Sequence, residues 1–217
     1  MPERIGFTTS DGVRIVGDRY APAAPSVRGV LLLHMMPETR ASWAPLAGML
    51  TAAGFEVFAI DERGHGESTK TTDGRTLDYH RFVDAEQQAK ILDVEAAVAW
   101  LKSQNVKDVS IVGASIGANL ALQYAAAHHD VAKIVVLAPG LNYRGVETLP
   151  AVTRLNRSQK VLFITAKDDD ESYGSVQELS ERMNAQATSH IYESGGHAQR
   201  LFTSHPESLE LIVDFLK

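Results

Sequence analysis

The stretch Gly113-Ala114-Ser115-Ile116-Gly117 decides the fold of this chain. It follows the β-branched run Asp108-Val109-Ser110-Ile111-Val112, typical of a buried strand, and precedes residues 118–127, whose composition favours a helix. A Gly-x-Ser-x-Gly sequence between a strand and a helix is the context in which a serine becomes a nucleophile. Glycine is needed at both ends because side chains there would collide with their neighbours, so Ser115 is predicted to present its hydroxyl from a strained turn. The alternative is an ordinary Gly/Ser turn, because five-residue patterns also arise by chance.

The composition of the chain restricts its fold class, its partners and the kinds of site it can form. The 217 residues are 44% hydrophobic and 22% charged, which fits a single α/β domain over residues 1–217. The net charge of −6, without a cluster of basic residues, argues against a nucleic-acid partner. The chain has no cysteine, which excludes disulfides, thiolate metal sites and a cysteine nucleophile.

Several partners are not expected. No apolar run approaches the ~18 residues of a membrane span, and the N-terminal residues lack the apolar stretch of a leader, so we expect a cytoplasmic protein without a membrane partner. Neither a metal-ligand cluster nor a glycine-rich phosphate loop is visible, so no metal and no cofactor are predicted. A monomer and a homodimer remain equally open.

Predicted strands and helices alternate from residue 29 to the end. The predicted strands are 4–9, 13–20, 29–34, 55–60, 108–112, 133–138, 160–165 and 189–192, and the predicted helices are 42–53, 80–104, 118–127, 174–187 and 206–216. This order predicts an α/β fold: a three-layer domain with a mostly parallel sheet of about eight strands and helices on both faces. Ligands of such sheets bind beyond the carboxyl ends of the strands.

A serine nucleophile needs a base, and His197 is the strongest candidate. It follows Gly195-Gly196 on the loop after the last predicted strand, where two glycines let the loop pass close to the sheet. The other histidines have simpler interpretations in strands, turns and helix ends. They are His34, His65, His80, His128, His129, His190 and His205.

The base needs an orienting carboxylate at the end of the preceding strand. Four acids, Asp168-Asp169-Asp170-Glu171, crowd that place. Asp169 is our first choice, Asp170 the second and Asp168 the third; at least two of the four belong to a solvated acidic loop. The order serine, acid, histidine is the one expected on this topology.

The oxyanion formed by attack on a carbonyl needs two hydrogen-bond donors. One is predicted to be the backbone N–H of Ile116, at the amino end of the helix after the nucleophile. The second is expected from the loop His34-Met35-Met36-Pro37 after the strand that ends at Leu33.

With these features the chain resembles an α/β-hydrolase-fold serine hydrolase over essentially its full length. That family normally has His-Gly after its third strand, and the residue after the glycine supplies the N–H. The resemblance therefore implies Met36 as the donor, with Met35 at the glycine's place and as the alternative donor. It also implies that Asp61-Glu62-Arg63-Gly64-His65-Gly66-Glu67-Ser68 is a structural loop packed by its own salt bridge.

The region between residues 139 and 159 is too short for the lid domain that many relatives carry there. The resemblance is therefore to compact, capless members, namely small carboxylesterases and dienelactone-hydrolase-like proteins. The latter typically use cysteine, so Ser115 favours an esterase. An open site favours accessible esters of modest size. The residues expected to contact substrate are His34, Met35, Leu141 and Tyr143.

The predicted function is hydrolysis of a small-molecule carboxylic ester through an acyl-serine. The same three side chains also serve thioesterase, amidase or perhydrolase activity. A non-catalytic member that binds a small molecule is the alternative from another class, and Met35 is the feature that favours it.

Overall fold

A computed structural model describes residues 1–217, the side chain of Asn184 excepted. The strands are β1 (Glu3–Thr8), β2 (Val13–Tyr20), β3 (Arg28–Leu33), β4 (Glu56–Ile60), β5 (Lys70–Thr71), β6 (Asp108–Ala114), β7 (Lys133–Leu137), β8 (Asn142–Tyr143), β9 (Val146–Glu147), β10 (Lys160–Ala166) and β11 (Ala187–Tyr192). The α-helices are α1 (Ala44–Ala52), α2 (Asp84–Gln88), α3 (Ile91–Ser103), α4 (Ile116–Ala127), α5 (Leu149–Val152), α6 (Asp170–Met183), α7 (Leu201–Ser204) and α8 (Glu207–Leu216).

One twisted sheet organises the molecule. Its strands run in the order β1-β2-β4-β3-β6-β7-β10-β11, and the short β5 pairs with β2. The pairs from β4 to β11 are parallel, whereas β1 and β2 are antiparallel to each other and β2 is antiparallel to β4. The predicted mostly parallel sheet of about eight strands is confirmed.

Side chains of the central strands alternate between two apolar layers, as the two-residue period of a strand requires. Leu31 and Leu33 of β3 pack in the layer that contains residues of α3, α4 and α6. Val30 and Leu32 pack in the opposite layer, with residues of α1 and α8. All four are fully buried, which explains why β3 is a continuous apolar run.

The register of the parallel strands brings their carboxyl ends to one edge. Leu33 pairs with Gly113, Ala114 with Leu137, and Ala166 with Tyr192. The loops after β3, β6, β7, β10 and β11 therefore leave the sheet at the same edge. Every residue predicted to act as nucleophile, base, acid, oxyanion donor or substrate contact lies on one of these loops or in the first residues of the element that follows it.

The predicted continuous helix over 80–104 is wrong. The chain forms a 3₁₀ turn at Tyr79–Arg81, then α2, and begins α3 only at Ile91. The break lies at Ala89 and Lys90, where the side chain of Lys90 is fully buried beside Glu62. A buried ion pair with another segment thus overrides the helical pattern, as tertiary contacts often do.

Residues 139–159 form a short β8–β9 hairpin and the four-residue helix α5. The sequence predicted that this region is too short for a lid domain, but it did not predict the hairpin. Of the helices in the described chain, none combines the length and apolar character needed to cross a bilayer.

Candidate active site

Ser115 occupies a strained turn between β6 and α4. Its backbone has φ 54° and ψ −120°, on the left-handed side that L-residues rarely adopt. A Cβ on Gly113 would overlap the carbonyl oxygen of Gly117, and one on Gly117 would lie 2.6 Å from the Leu33 carbonyl oxygen. Neither glycine accepts a side chain unless the backbone moves, which is the reason the sequence analysis gave for both.

His197, on the loop after β11, contacts Ser115, and Asp169, on the loop after β10, contacts His197. His197 Nε2 lies 2.8 Å from Ser115 Oγ, and His197 Nδ1 lies 2.7 Å from Asp169 Oδ2. An ionised carboxylate only accepts hydrogen bonds, so Nδ1 carries the ring proton and Nε2 presents its lone pair to the serine hydroxyl. The three side chains therefore form a connected line from hydroxyl to imidazole to carboxylate.

The Asp169 carboxyl is held ionised by its surroundings. Partial burial acts to raise its pKa, but hydrogen bonds from His197 and from Ser172 outweigh that cost, so the pKa lies below its ordinary value. Ser172, fully buried on α6, lies with its Oγ 3.4 Å from His197 Nδ1. Sequence reasoning missed Ser172, because a serine three residues after an acid carries no motif of its own.

The other three acidic residues after β10 have different structural roles. The Asp168 carboxylate accepts hydrogen bonds from the backbone N–H groups of Gly195 and Gly196, at 3.0 to 3.3 Å, and these bonds lower its pKa. Asp168 thus holds the loop that carries His197. Asp170 and Glu171 are exposed in the first turn of α6, where acidic side chains favour the helix dipole. Of the four acids, Asp169 is the one in contact with the imidazole.

Two backbone N–H groups beside the turn at Ser115 have no acceptor among the described residues. Ile116 is the first residue of α4, and the first N–H groups of a helix have no partner within it. Met36 N–H, on the loop after β3, likewise makes no hydrogen bond in the described chain. A Cβ on Gly117 would lie 2.6 and 2.8 Å from the carbonyl oxygens of Leu33 and His34, so this loop passes against the start of α4.

Met35 is the wrong alternative for the second donor. Its N–H donates to Gln199 Oε1 at 3.1 Å, so it is already occupied. Its side chain is buried in the apolar layer beside α1 and α8, which also contradicts the expected contact with substrate. Gln199 was not singled out from the sequence, although it stands two residues after His197.

His34 was also expected to contact substrate, and this expectation is wrong. Its side chain is fully buried, its Nδ1 lies 3.0 Å from the Met35 carbonyl oxygen, and its Nε2 accepts from the Glu62 N–H at 3.0 Å. Burial lowers the pKa of His34 to about 4, so the ring is neutral at pH 7. His34 therefore shapes the loop after β3 from inside the protein.

Leu141 directly precedes the β8–β9 hairpin, and Tyr143 ends its first strand, β8. Both are half-buried. The Tyr143 ring meets the His197 ring edge-on with centroids 6.3 Å apart, and its hydroxyl oxygen lies 3.0 Å from Ser172 Oγ. Burial raises the pKa of Tyr143 to about 12, so this hydroxyl stays protonated.

The Asp61–Ser68 segment is packed by buried salt bridges, but with partners outside it. Asp61 pairs with the guanidinium of Arg40 and accepts from the Arg40 backbone N–H at 2.8 Å. Arg63 pairs with Asp93 of α3 at 2.8 Å. The sequence predicted a structural loop; the partners come from elements that are remote along the chain.

Comparisons with known proteins agree with this architecture. Residues 25–168, about two thirds of the chain, match the Hydrolase_4 family, described as serine aminopeptidase, S33. Epoxide hydrolase B of Mycobacterium tuberculosis is 33% identical over 133 residues, which are 60% of this chain and 34% of that protein. The thermostable monoacylglycerol lipase of Bacillus sp. is 34% identical over 116 residues, 54% of this chain and 41% of the lipase. The chain thus spans well under half the length of these curated relatives.

A solved structure matches the whole chain. An esterase from Pyrococcus furiosus superposes with a TM-score of 0.80 and 20% sequence identity, covering 100% of this chain and 90% of the esterase. This likeness shows the fold, which is the α/β-hydrolase fold that the sequence predicted. With the family matched over most of the central sheet, the chain belongs to the Hydrolase_4 family of α/β-hydrolases.

Proposed function

We propose that this protein hydrolyses carboxylic esters through an acyl-serine intermediate. The observation that carries the proposal is the contact of Ser115 Oγ with His197 Nε2 at 2.8 Å, in line with Asp169 on the far nitrogen. A serine hydroxyl becomes nucleophilic at neutral pH when such an oriented base takes its proton. The ester as substrate is supported by the names of two similar proteins, a monoacylglycerol lipase and an esterase.

In the first half of the reaction, His197 Nε2 takes the proton of Ser115 as Oγ attacks the ester carbonyl carbon. The carbonyl electron pair moves onto oxygen, where the N–H groups of Met36 and Ile116 donate to it. One such donor is typically worth ~3 kcal/mol in the transition state. The C–O bond to the alcohol then breaks, and the imidazolium returns its proton to the leaving alkoxide oxygen.

In the second half, water replaces the alcohol. His197 takes a proton from water as its oxygen adds to the acyl carbon, and collapse of the second tetrahedral adduct releases the acid and restores the Ser115 hydroxyl. Asp169 stabilises the imidazolium in both halves without taking the proton itself. Its lowered pKa keeps it ionised for that role.

The first test is covalent labelling. We expect a fluorophosphonate probe to label the wild-type protein on Ser115 and to leave Ser115→Ala unlabelled. Peptide mapping by mass spectrometry locates the label. Equal labelling of both proteins, or none of the wild type, would overturn the assignment of the nucleophile.

The second test concerns the bond that is cleaved. A panel of p-nitrophenyl esters of short acids, an acyl-CoA, an aminoacyl anilide and a simple epoxide is measured as kcat/KM. The proposal expects the short esters to be the best substrates and Ser115→Ala to abolish their turnover. A higher kcat/KM for the anilide would favour the peptidase activity in the family description, and one for the epoxide would favour that of the mycobacterial relative.

A further inference from the structure

Gln199 joins the loop of the proposed base to the loop of the proposed oxyanion donor. Gln199 is buried and lies in the 3₁₀ turn Ala198–Arg200, directly after His197. Its Oε1 accepts from the Met35 N–H at 3.1 Å, and its Nε2 donates to Ser42 Oγ at 2.7 Å. One side chain thus spans from the loop after β11 to the segment between β3 and α1.

The two contacts of the Gln199 side chain, which bridges the two loops, together require an amide. The Met35 N–H is a donor and needs an oxygen. The Ser42 hydroxyl gives its single proton to the Thr39 carbonyl oxygen, 2.7 Å away, so it presents only a lone pair to Gln199. A glutamate lacks the donor and a lysine lacks the acceptor, so a side-chain amide of this length satisfies both.

The backbone before Gln199 is held in an unusual conformation. Ala198, fully buried, has a positive φ of 52°, which non-glycine residues rarely adopt. Such conformations persist where surrounding contacts fix them. Ala198 is the single residue between His197 and Gln199, so the direction of the imidazole and that of the amide depend on the same turn.

We propose that Gln199 is a positioning residue that keeps the base and the oxyanion donors in register. By occupying the Met35 N–H, its amide fixes the His34–Met35 peptide, one residue before the Met36 N–H, and leaves the Met36 N–H as the free donor of that loop. The inference rests on the proposed ester hydrolysis. Misplacement of catalytic groups by about 1 Å costs on the order of 10²-fold in rate, so loss of the bridge is expected to act on kcat.

The kinetic test compares Gln199→Ala with a matched buried glutamine. Gln159 is fully buried and donates to the carbonyl oxygens of Ala125 and Val131, between α4 and β7 and away from the site. We expect Gln199→Ala to lower kcat by roughly 10- to 100-fold with little change in KM. Gln159→Ala is expected to lower the melting temperature while kcat of the folded protein stays close to wild type. Equal kcat for wild type and Gln199→Ala would overturn the proposal.

The conservative variant Gln199→Glu adds a readout that a loss of packing would not move. Ionised glutamate keeps the acceptor for Met35 but has no proton for Ser42, and it brings a negative charge next to the oxyanion loop. The protonated acid restores both contacts. The ratio of kcat for this variant to kcat for wild type is therefore expected to rise as the pH falls. A pH-independent ratio would contradict the requirement for a donor.

A measurement without turnover separates this inference from the proposed function. Amide hydrogen exchange is followed by NMR in the Ser115→Ala background, with and without Gln199→Ala. The Met35 amide is expected to exchange slowly with Gln199 present and about fivefold faster without it, since a lost hydrogen bond is worth about 1 kcal/mol. Unchanged exchange would refute the bridge even if ester turnover is found. If exchange is faster without Gln199 but the wild-type protein cleaves no ester, the proposed function is refuted and the hydrogen-bond bridge is not.

Discussion

Histidines in two regions of this molecule differ in how far their side chains are exposed and in which groups contact their rings. His197 stands at the rim of the sheet with 29% of its side chain exposed and a carboxylate on Nδ1. His34 and His65 lie beneath the neighbouring loops, buried, with ring centroids 4.9 Å apart. Burial lowers the pKa of His34 to about 4 and that of His65 to about 3.

The two regions differ in whether a group beside the ring can compensate the positive charge of an imidazolium. Asp169 is in direct contact with His197, so an imidazolium formed there is stabilised at once. The two buried rings make their hydrogen bonds to backbone groups and also face Lys90, whose positive charge further disfavours their protonation. A buried histidine whose hydrogen bonds go to neutral backbone groups is suited to a structural role. A partly exposed histidine in contact with a carboxylate is suited to accept and release a proton.

The largest expected effect comes from exchanging a histidine in each region. His197→Gln removes the proposed base and is expected to lower kcat for the best ester by roughly 10⁴- to 10⁶-fold. Its unfolding free energy is expected to change by less than about 1 kcal/mol, because the ring lies at the rim. Steady-state kinetics and urea unfolding on the same preparations measure both effects.

His65→Gln is the matched variant in the buried region. It loses the stacking of the ring on Tyr79, at 3.9 Å between centroids, and the contact of Nδ1 with the Arg63 carbonyl oxygen. We expect its unfolding free energy to fall by about 1–3 kcal/mol while kcat of the folded protein stays close to wild type. If instead His65→Gln abolished turnover without destabilising the fold, the division of roles would be wrong.

The parts of the site that the sequence predicted are those set by local rules. Ser115 follows from a tight turn between strand and helix, and His197 and Asp169 follow from the loops at the ends of parallel strands. These rules need only neighbouring residues and the fold class, which the alternation of strands and helices supplied.

What the sequence did not predict depends on side chains that are remote along the chain. Met35 is excluded as a donor by Gln199, which is more than 160 residues away. The break before α3 depends on the buried contact of Lys90 with Glu62, and no periodic pattern encodes that pair. Such contacts become visible only when the loops are seen packed together.

The second prediction probes the buried region through its ion pair. The Lys90 ammonium and the Glu62 carboxylate lie 3.0 Å apart with both side chains fully buried, but neither makes a well-aligned hydrogen bond in the described chain. Lys90→Met leaves an unpaired buried carboxylate and is expected to lower the unfolding free energy by about 3–5 kcal/mol. Urea unfolding monitored by circular dichroism measures the loss.

The double variant Glu62→Met/Lys90→Met is the control. Replacing both charges by apolar groups removes the desolvation cost of each, so most of the lost stability is expected to return. If the double variant were as unstable as Lys90→Met alone, the lost stability would not come from the unpaired carboxylate, and this account of the pair would be wrong.

The smallest effect is the pH dependence that His34 gives to stability. In the unfolded chain a histidine has a pKa of about 6.5, against about 4 for His34 in the folded protein. Between these values the unfolded chain binds a proton that the folded chain does not, so His34 lowers stability as the pH falls from 6.5 towards 4. The full loss is about 3 kcal/mol for this shift.

Asp93 acts in the opposite sense over the same range, because burial raises its pKa to about 6 despite its contact with Arg63. The test is therefore a difference between wild type and His34→Gln, in which the contribution of Asp93 is common to both proteins. Glutamine keeps one donor and one acceptor at this position but does not titrate. The stability advantage of wild type, from urea unfolding at a series of pH values, is expected to shrink by about 3 kcal/mol between neutral pH and the folded-state pKa. If the unfolding free energies of wild type and His34→Gln changed in parallel with pH, the His34 ring would take up its proton in the folded protein. The contrast with His197 would then fail.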